Sequence, residues 1–292
     1  MHHFANRLHA GIHQKRTPLC VGLDPRWESL PLSITSLHQR DIEGRAQAYE
    51  QFCSRVLEIV QPYTAIVKPQ SAFFEILGSA GHRAMEHIIS KAHQLGLLVI
   101  LDAKRNDIAS TATAYAEAAF DLLKADALTV NPYLGRDAME PFITEARKHH
   151  AGLYVLVRTS NPGAGQFQDL MTDQGKVHEV VARAVNDWSN EHLGTSGYGD
   201  VGAVVGATSP AELSHLRTIM PQAPFLVPGY GAQGGSAADC QGAFQTNGMG
   251  AVINSSRGIM FPFKPDDAQW EQKIETAAKK SAEELGKVAG LR

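Results

Sequence analysis

Eight short runs of apolar residues recur along the chain, and each is followed by Gly, Pro or a polar residue. The runs cover residues 19–23, 65–67, 97–101, 127–130, 152–157, 201–205, 225–227 and 251–253. They are continuous rather than alternating, which is typical of strands that are buried on both faces of a parallel sheet. The pattern therefore predicts eight parallel strands.

Longer amphipathic segments lie between these runs and predict helices. The predicted helices cover residues 45–60, 81–95, 108–124, 138–148, 176–188, 210–219 and 269–288. Alternation of strand and helix is typical of a parallel α/β fold, and eight such units match a (β/α)8 TIM barrel, with a doubly wound open sheet as the alternative. Because no segment has the composition of a linker, we expect residues 1–292 to form a single domain. Its barrel core would cover about 17–262 and a C-terminal helix about 266–290.

Composition and charge exclude several classes of protein. The 292 residues are 43% apolar and 20% charged, and the formal net charge is −3, so no basic excess is available to bind a nucleic-acid backbone. The apolar runs, including 97–101, are far shorter than the roughly 20 residues that cross a membrane, and residues 1–16 lack the apolar core of a signal peptide. Three distant cysteines do not make a disulfide framework. We expect a cytoplasmic protein with no nucleic-acid or membrane partner.

The densest chemistry follows the third predicted strand. Asp102 and Lys104 are two residues apart, so an extended chain directs both side chains to one face, and Asp107 lies where the next helix begins. Two other strand ends add Asp24 and Lys68, and the carboxyl ends of barrel strands form the ligand site. A solvated ion pair with Asp107 as a helix N-cap would explain any one of these residues. Together they indicate a functional site, because an array of buried charges is costly.

Glycine is concentrated in one part of the chain, where residues 194–258 hold 13 of the 26 glycines. Glycine permits positive φ and close approach of the backbone to a ligand, although a series of tight turns would also account for it. Gly229, Gly231 and Gly234 have the spacing of a dinucleotide fingerprint, but they follow the seventh predicted strand, and no Asp or Glu stands about 20 residues later. We therefore expect no nucleotide cofactor at this loop.

The motif Asp-x-Lys-x-x-Asp at 102–107 is accompanied by five further motifs. These are Val-Gly-Leu-Asp at 21–24, Val-Lys-Pro at 67–69, Thr-Ser-Asn at 159–161, Val-Pro-Gly-Tyr-Gly-Ala-Gln-Gly-Gly at 227–235 and Ser-Ser-Arg-Gly at 255–258. The combination resembles the orotidine 5′-phosphate decarboxylase family, and most closely its longer bacterial branch. The resemblance extends from about residue 19 to about residue 260, with the motifs at the strand ends that a barrel uses for its site.

The resemblance implies a carbon–carbon lyase that converts orotidine 5′-monophosphate into UMP and CO2 in de novo pyrimidine biosynthesis, without a metal or organic cofactor. It implies that Lys104 stabilises and protonates the carbanion that forms at C6. Asp102 would lie against the departing carboxylate, Lys68 would extend the row of charges to the ribose, and Asp24 would accept hydrogen bonds from the ribose hydroxyls.

The same resemblance implies the remaining contacts. Asp107, with Ile108 and Thr111, would enter the site of the neighbouring subunit, which makes a homodimer the active unit. The other residues that would bind the substrate are Ser160, Pro228, Gln233, Gly234, Ser256 and Arg257. The two loops after the last predicted strands would hold the phosphate, with Arg257 as a two-pronged charged contact. Gln233 would bridge phosphate and pyrimidine, and Ser160 would contact the amide edge of the pyrimidine, with Thr159 beside it as a structural residue.

Two other functions fit part of the pattern. A 3-keto sugar-phosphate decarboxylase or hexulose-phosphate synthase shares Asp-x-Lys-x-x-Asp and uses Mg²⁺, but the Pro-Gly-x-Gly-x-Gln-Gly loop and Lys68 argue against it. A non-catalytic phosphate-binding barrel would not need Lys104 between two aspartates. The histidines are scattered, with no spacing typical of a metal site, and are expected at the surface. Cys240 is expected to pack in the core rather than to act as a nucleophile.

Overall fold

Eight parallel strands close into a barrel in the computed structural model, which describes residues 2–207, 209–231 and 235–292. The strands are β1 Leu19–Leu23, β2 Ile66–Pro69, β3 Leu98–Arg105, β4 Ala127–Val130, β5 Gly152–Arg158, β6 Val201–Val205, β7 Phe225–Val227 and β8 Ala251–Ser255. Consecutive strands pair in chain order, and β1 pairs with β8 through Leu19 and Ile253. The last pairing confirms the predicted barrel and makes the open-sheet alternative wrong.

Helices lie between the strands and at both ends of the chain. The helices are α1 Phe4–Lys15, α2 Leu32–Thr35, α3 Ile42–Val60, α4 Ala72–Glu75, α5 Gly78–Gln94, α6 Ala109–Glu117, α7 Arg136–Lys148, α8 Gly165–Gln168, α9 Val177–Asn190, α10 Pro210–Ile219, α11 Arg257–Met260 and α12 Trp270–Val288. Short 3-10 turns occupy Trp27–Ser29, Gln61–Tyr63 and Ala238–Ala243, and a small hairpin pairs Met171–Thr172 with Gly175–Lys176. Among the described residues, none of these helices is both long and apolar enough to cross a bilayer.

Most predicted helices are present, and capping residues determine where several of them begin. α10 has the predicted bounds, because the Ser209 hydroxyl accepts the Glu212 N–H and Pro210 occupies the first turn. α3 begins earlier than predicted, at Ile42, because the Asp41 carboxylate caps it by accepting the Gly44 N–H. The single helix predicted over 108–124 is wrong in its second part, since α6 ends at Glu117 and Ala118–Leu122 form a π-helical turn.

The core has two layers, one between the strands and the surrounding helices and one inside the barrel. The inner layer contains Tyr154, with Phe4 and Leu8 of α1 packed against it at the amino ends of the strands. A Cβ on Gly152 would lie 2.3 Å from the Phe4 ring, so glycine is required where α1 covers this end. The interior of the barrel is therefore closed with apolar side chains at the amino ends of the strands.

Candidate active site

Asp102 is at the centre of a buried row of charges at the carboxyl end of β3. Its Oδ2 lies 2.5 Å from Lys68 Nζ and 3.1 Å from Gln70 Nε2, and its Oδ1 lies 2.6 Å from Lys104 Nζ and 3.0 Å from the Thr129 hydroxyl. The structure therefore brings Lys68, Asp102 and Lys104 together, as predicted, with two donors on each carboxylate oxygen.

The two lysines hold the Asp102 carboxylate in its charged form. Burial disfavours the charge, but Lys68 and Lys104 outweigh it, so the pKa of Asp102 lies well below its ordinary value. Burial likewise disfavours the Lys68 ammonium, and Asp102 with Asp24 reverses that effect and raises the Lys68 pKa. The Lys68 side chain is 6% exposed and that of Lys104 is 45% exposed, so Lys104 is the more accessible of the two ammonium groups.

Two adjoining cavities meet at this row of charges. The first has a volume of about 490 Å³ and its polar lining includes Asp24, Ser256 and Arg257. The second, of about 400 Å³, is lined by Lys104, Thr129, Leu156, Thr159, Ser160, Asn161, Val204 and Leu226. Four residues line both cavities, namely Lys68, Asp102, Pro228 and Asn254. The arrangement is an elongated site with a charged end, a central ammonium–carboxylate row and a partly apolar end.

Two residues that line the first cavity carry acceptor oxygens without partners among the described residues. The Oδ1 atoms of Asp24 and Asn254 are buried and find no hydrogen-bond partner among the described residues. Asn254 Nδ2 donates to Ser256 Oγ at 3.2 Å, so its amide oxygen is left to accept. Ser256 itself packs against β1, where a Cβ on Gly22 would lie 1.9 Å from its hydroxyl. These carboxylate and amide oxygens suit a ligand that carries hydroxyl donors.

The segment that follows β3 lies outside the two cavities of its own chain, unlike Lys104. Asp107 is half-buried and accepts only the neighbouring Ile108 N–H, at 2.9 Å, among the described residues. Asp107, Ile108 and Thr111 do not line either cavity of their own chain, and the last two are exposed. Residue Ile108, not Asp107, occupies the N-cap of α6, so the N-cap interpretation of Asp107 is wrong.

Ser160 lies in the loop after β5. Gln168, the last residue of α8, binds this loop through Thr159. Gln168 Oε1 accepts the Thr159 N–H at 3.0 Å and Gln168 Nε2 donates to the Thr159 hydroxyl at 2.8 Å. Thr159 therefore anchors the loop, in agreement with its predicted structural role, while Ser160 lines the second cavity.

The glycine-rich loop after β7 begins at Pro228 and returns where Tyr230 and Gly235 form a parallel bridge. Gly229 and Gly231 have φ of 104° and 77°, the backbone region that only glycine adopts freely. The Tyr230 hydroxyl donates to Glu284 of α12 at 2.9 Å, and burial raises the pKa of Tyr230 to about 12. The predicted ligand residues Gln233 and Gly234 lie outside the described residues.

Three polar residues of the site were not predicted from the sequence. Thr129 is the sole polar residue of the run 127–130, Gln70 directly follows β2, and Asn254 lies in β8 near its carboxyl end. The rule that strand ends carry the chemistry would have found Gln70 and Asn254. Thr129 had only one signal, a hydroxyl in a strand that is buried on both faces.

Within the part of the chain that the structure describes, two side-chain clusters outside the site could each offer three metal ligands. They are His3 with His192 and Asp200, and Asp169 with His178 and Glu212. In each, an arginine already pairs with a carboxylate, since Arg147 Nε lies 3.1 Å from Asp200 and Arg158 Nη2 lies 3.2 Å from Asp169. That positive charge opposes a bound cation. The expectation of surface histidines is wrong for His178, which is 1% exposed.

Cys240 is fully buried next to the glycine-rich loop. Burial raises the pKa of its thiol to about 12, so the thiolate that a nucleophile requires is disfavoured. The predicted packing role is therefore supported.

A closed parallel barrel with this row of charges and these cavities at the carboxyl ends of its strands defines a (β/α)8-barrel enzyme that acts on a small, polar ligand. The sequence model of the orotidine 5′-phosphate decarboxylase / HUMPS family matches residues 17–268, and the chain belongs to this family. It is therefore an enzyme, a decarboxylase of the lyase type, and the non-catalytic alternative is wrong.

Relatives at high coverage support the assignment. The chain is 46% identical to an orotidine 5′-phosphate decarboxylase of Rhodopirellula baltica, with 97% of this chain and 98% of that protein covered. It is 42% identical to one of Deinococcus radiodurans, covering 88% and 89% of the two chains. Among solved structures, the OMP decarboxylase of Leishmania donovani superposes with a TM-score of 0.79 at 35% identity, covering 99% of each chain.

Proposed function

We propose that this enzyme decarboxylates orotidine 5′-monophosphate to UMP and CO2, the decarboxylation step of de novo pyrimidine biosynthesis, without a cofactor. The observation that carries the proposal is the Lys104 ammonium, which is 2.6 Å from Asp102, half-exposed, and part of the lining of the second of two adjoining cavities. The names of the relatives at 46% and 42% identity support the same substrate.

The reaction breaks the bond between C6 and the carboxylate carbon. CO2 departs, and the electron pair of the broken bond remains on C6. Lys104 stabilises this carbanion by charge and donates one Nζ proton to it, which forms UMP, and solvent then reprotonates the amine. Asp102 holds the ammonium in place and lies on the side of the departing carboxylate.

One lysine does not supply all of the stabilisation that the reaction needs. Rate enhancements at the upper end for enzymes require roughly 20 kcal/mol of transition-state stabilisation. A lysine–carbanion contact at about 4 Å contributes about 4 kcal/mol at an effective dielectric constant of about 20. Binding energy from remote parts of the substrate, above all its phosphate, must contribute to the rest.

The remaining contacts are assigned along the cavity from the charged end. Arg257 and Ser256, with the loop that contains Pro228, Gln233 and Gly234, hold the phosphate. Asp24, whose Oδ1 has no hydrogen-bond partner among the described residues, and Lys68 contact the ribose hydroxyls. Ser160 contacts the amide edge of the pyrimidine from the partly apolar end.

The active unit that we propose is a homodimer whose partner supplies Asp107, Ile108 and Thr111. Ile108, Thr111 and Tyr115 are spaced at three and four residues, the spacing of one helix face, and that face is exposed. Leu122 extends the exposed apolar surface along the same segment, at 67% exposure. Exposed apolar side chains grouped along one segment in this way are typical of a protein interface.

Three free, buried thiols support the cytoplasmic location that we propose.

The test is the loss of orotidine 5′-monophosphate absorbance with excess EDTA present. Full activity is expected, because no step of the proposal uses a metal. Absence of turnover would refute the proposed substrate. Activity that the chelator abolishes would instead favour the Mg²⁺-dependent sugar-phosphate chemistry of the alternative.

A further inference from the structure

We propose that Thr129 is a positioning residue that places both Asp102 and Lys104 through a single hydroxyl group. The inference rests on the proposed function and assigns a role in it to a residue of the neighbouring strand. Thr129 lies in β4 and is fully buried, at 0% exposure.

The pairing of β3 with β4 is interrupted at the catalytic segment. Leu101 pairs with Leu128 and Arg105 pairs with Val130, so three residues of β3 stand opposite Thr129 alone. An irregularity of this kind leaves backbone groups of the longer strand without their regular ladder partners, and such irregularities are common next to active sites.

The Thr129 hydroxyl takes the place of the missing ladder partners. Its oxygen accepts the N–H of Ala103 at 3.0 Å and the N–H of Lys104 at 2.9 Å, and its proton goes to Asp102 Oδ1 at 3.0 Å. A hydroxyl has two acceptor positions and one proton, and all three are used here. With both acceptor positions filled by N–H groups, the proton is directed to the carboxylate.

Lys104 needs this support because its backbone is strained. Its φ is 48°, in the left-handed region, where the Cβ of a non-glycine residue crowds the backbone. The bond from its N–H to Thr129 is therefore part of what holds Lys104 in this conformation. The same hydroxyl fixes Asp102, the carboxylate that lies 2.6 Å from Lys104 Nζ. Thr129 thus controls the lysine at its backbone and at its charged end.

Threonine 64 offers a matched control in the same barrel. It is also fully buried, and its hydroxyl contacts the Leu19 carbonyl at 2.7 Å and the Ile66 carbonyl at 2.8 Å, and accepts the Ile66 N–H at 3.2 Å. These contacts involve backbone groups of β1 and β2 and no residue of the charge row. Thr64→Val therefore measures the loss of a buried hydroxyl without a role in positioning.

The experiment compares Thr129→Val, Thr129→Ser and Thr64→Val by kcat, by KM for orotidine 5′-monophosphate, by the Kd of UMP and by thermal unfolding. Loss of a hydrogen bond to a charged group, together with a displaced lysine, is expected to lower kcat of Thr129→Val by about 10- to 100-fold. KM and the UMP Kd should stay within about threefold, because the phosphate contacts are retained. Thr129→Ser, which keeps the hydroxyl, should stay within about fivefold of the wild-type kcat.

Thr64→Val is expected to lower the unfolding temperature and leave kcat unchanged. The inference is overturned if Thr129→Val keeps kcat within about twofold, if Thr129→Ser loses as much as Thr129→Val, or if Thr64→Val loses as much as either. Should Thr129→Val fail to fold, Thr129→Cys replaces it, since a thiol of similar size is a weaker donor and acceptor. Its kcat is expected to fall by at least about fivefold, and an unchanged kcat refutes the role.

Failure of this inference is distinguishable from failure of the proposed function. A wild-type enzyme without turnover of orotidine 5′-monophosphate refutes the function and leaves the positioning role to be decided by geometry. A crystal structure of the Thr129→Val or Thr129→Cys variant is then expected to show Lys104 outside the left-handed region, or its Nζ displaced from Asp102. Retention of the wild-type backbone and ion pair would overturn the role of Thr129 whatever the substrate is.

Discussion

The charge of Asp102 depends on its two lysines, so its contribution to stability depends on pH. Its lowered pKa means that this contribution is complete above the ordinary value of about 3.9 and is lost as pH falls through the folded-state value. For Lys68 the sign is reversed. Its raised pKa makes its contribution complete below about 10.4 and lost as pH rises through the folded-state value. Both contributions are therefore complete at neutral pH.

Asp102→Asn leaves Lys68 buried without its closest counter-charge, 2.5 Å away in the wild type. Breaking a buried pair in this way is expected to lower the free energy of unfolding by about 3–5 kcal/mol at pH 7. The difference in the free energy of unfolding between the variant and the wild type should become smaller below about pH 4. In that range Asp102 of the unfolded wild-type chain becomes protonated, so its ion pairs contribute less to stability. Urea unfolding from pH 7 to pH 3 measures this difference, with the exposed Asp187→Asn as a control that leaves the midpoint unchanged. A difference that is constant with pH would contradict the electrostatic origin.

Lys104→Ala separates catalysis from binding at the level of one side chain. Turnover should become undetectable, because the variant lacks both the charge at C6 and the proton donor. The UMP Kd should stay within about tenfold of wild type, because the phosphate and ribose contacts do not involve Lys104. Calorimetry with UMP and the absorbance assay check the two parts, with exposed Lys124→Ala as the control. Loss of UMP binding would show that Lys104 holds the fold of the site rather than the reaction.

At the level of secondary structure, α1 closes the barrel at the end opposite the site. Gly152→Ala would place a Cβ 2.3 Å from the Phe4 ring, and both positions are buried. Overpacking of this kind is expected to lower the free energy of unfolding by about 1–3 kcal/mol while leaving kcat unchanged.

Denaturant unfolding tests this clash, with Gly163→Ala as control, since a Cβ there meets its nearest atom at an ordinary 3.6 Å. Combining Gly152→Ala with Phe4→Leu should recover part of the loss relative to the sum of the single variants. Additive effects of the two substitutions would show that α1 does not press on β5.

The elements that the sequence predicted well carry local signals. The eight strands are continuous apolar runs, and α10 has its cap at Ser209 and its proline at Pro210. α1 was not predicted, although Phe4, Leu8 and Ile12 form an apolar stripe, because its N-cap is His3 and its stripe has a partner only once the barrel closes. The π-helical turn after α6 has no corresponding signal in the sequence.

Some residues of the candidate site could likewise be predicted from the sequence, and others could not. Lys68, Asp102 and Lys104 could be predicted because strand ends converge in any parallel barrel. The role of Thr129 could not, because it depends on how β3 and β4 align and on the left-handed backbone of Lys104. Both are properties of strand pairing and are not visible in either strand alone.

At the level of the whole molecule, the proposed dimer follows from the position of the segment after β3. Asp107 is three residues from Lys104, yet it lines neither cavity of its own chain. Two-fold symmetry uses the same patch of both subunits, so an exposed segment next to one site can complete the site of the partner. The exposed face that begins at Ile108 would then be buried in the assembly.

Mixed subunits test whether the site is shared. Lys104→Ala and Asp107→Ala are each expected to be inactive, since each removes one residue from every site. After subunit exchange in equal amounts, half of the dimers are hybrids, and each hybrid has one site with an intact Lys104 and an intact Asp107 from its partner. Activity should therefore return to about a quarter of the wild-type value per site. A mixture of Lys104→Ala with Asp102→Ala should stay inactive, because both residues belong to the same subunit's part of the site. Equal recovery in both mixtures, or none in the first once mass spectrometry has confirmed hybrid dimers, would contradict sharing.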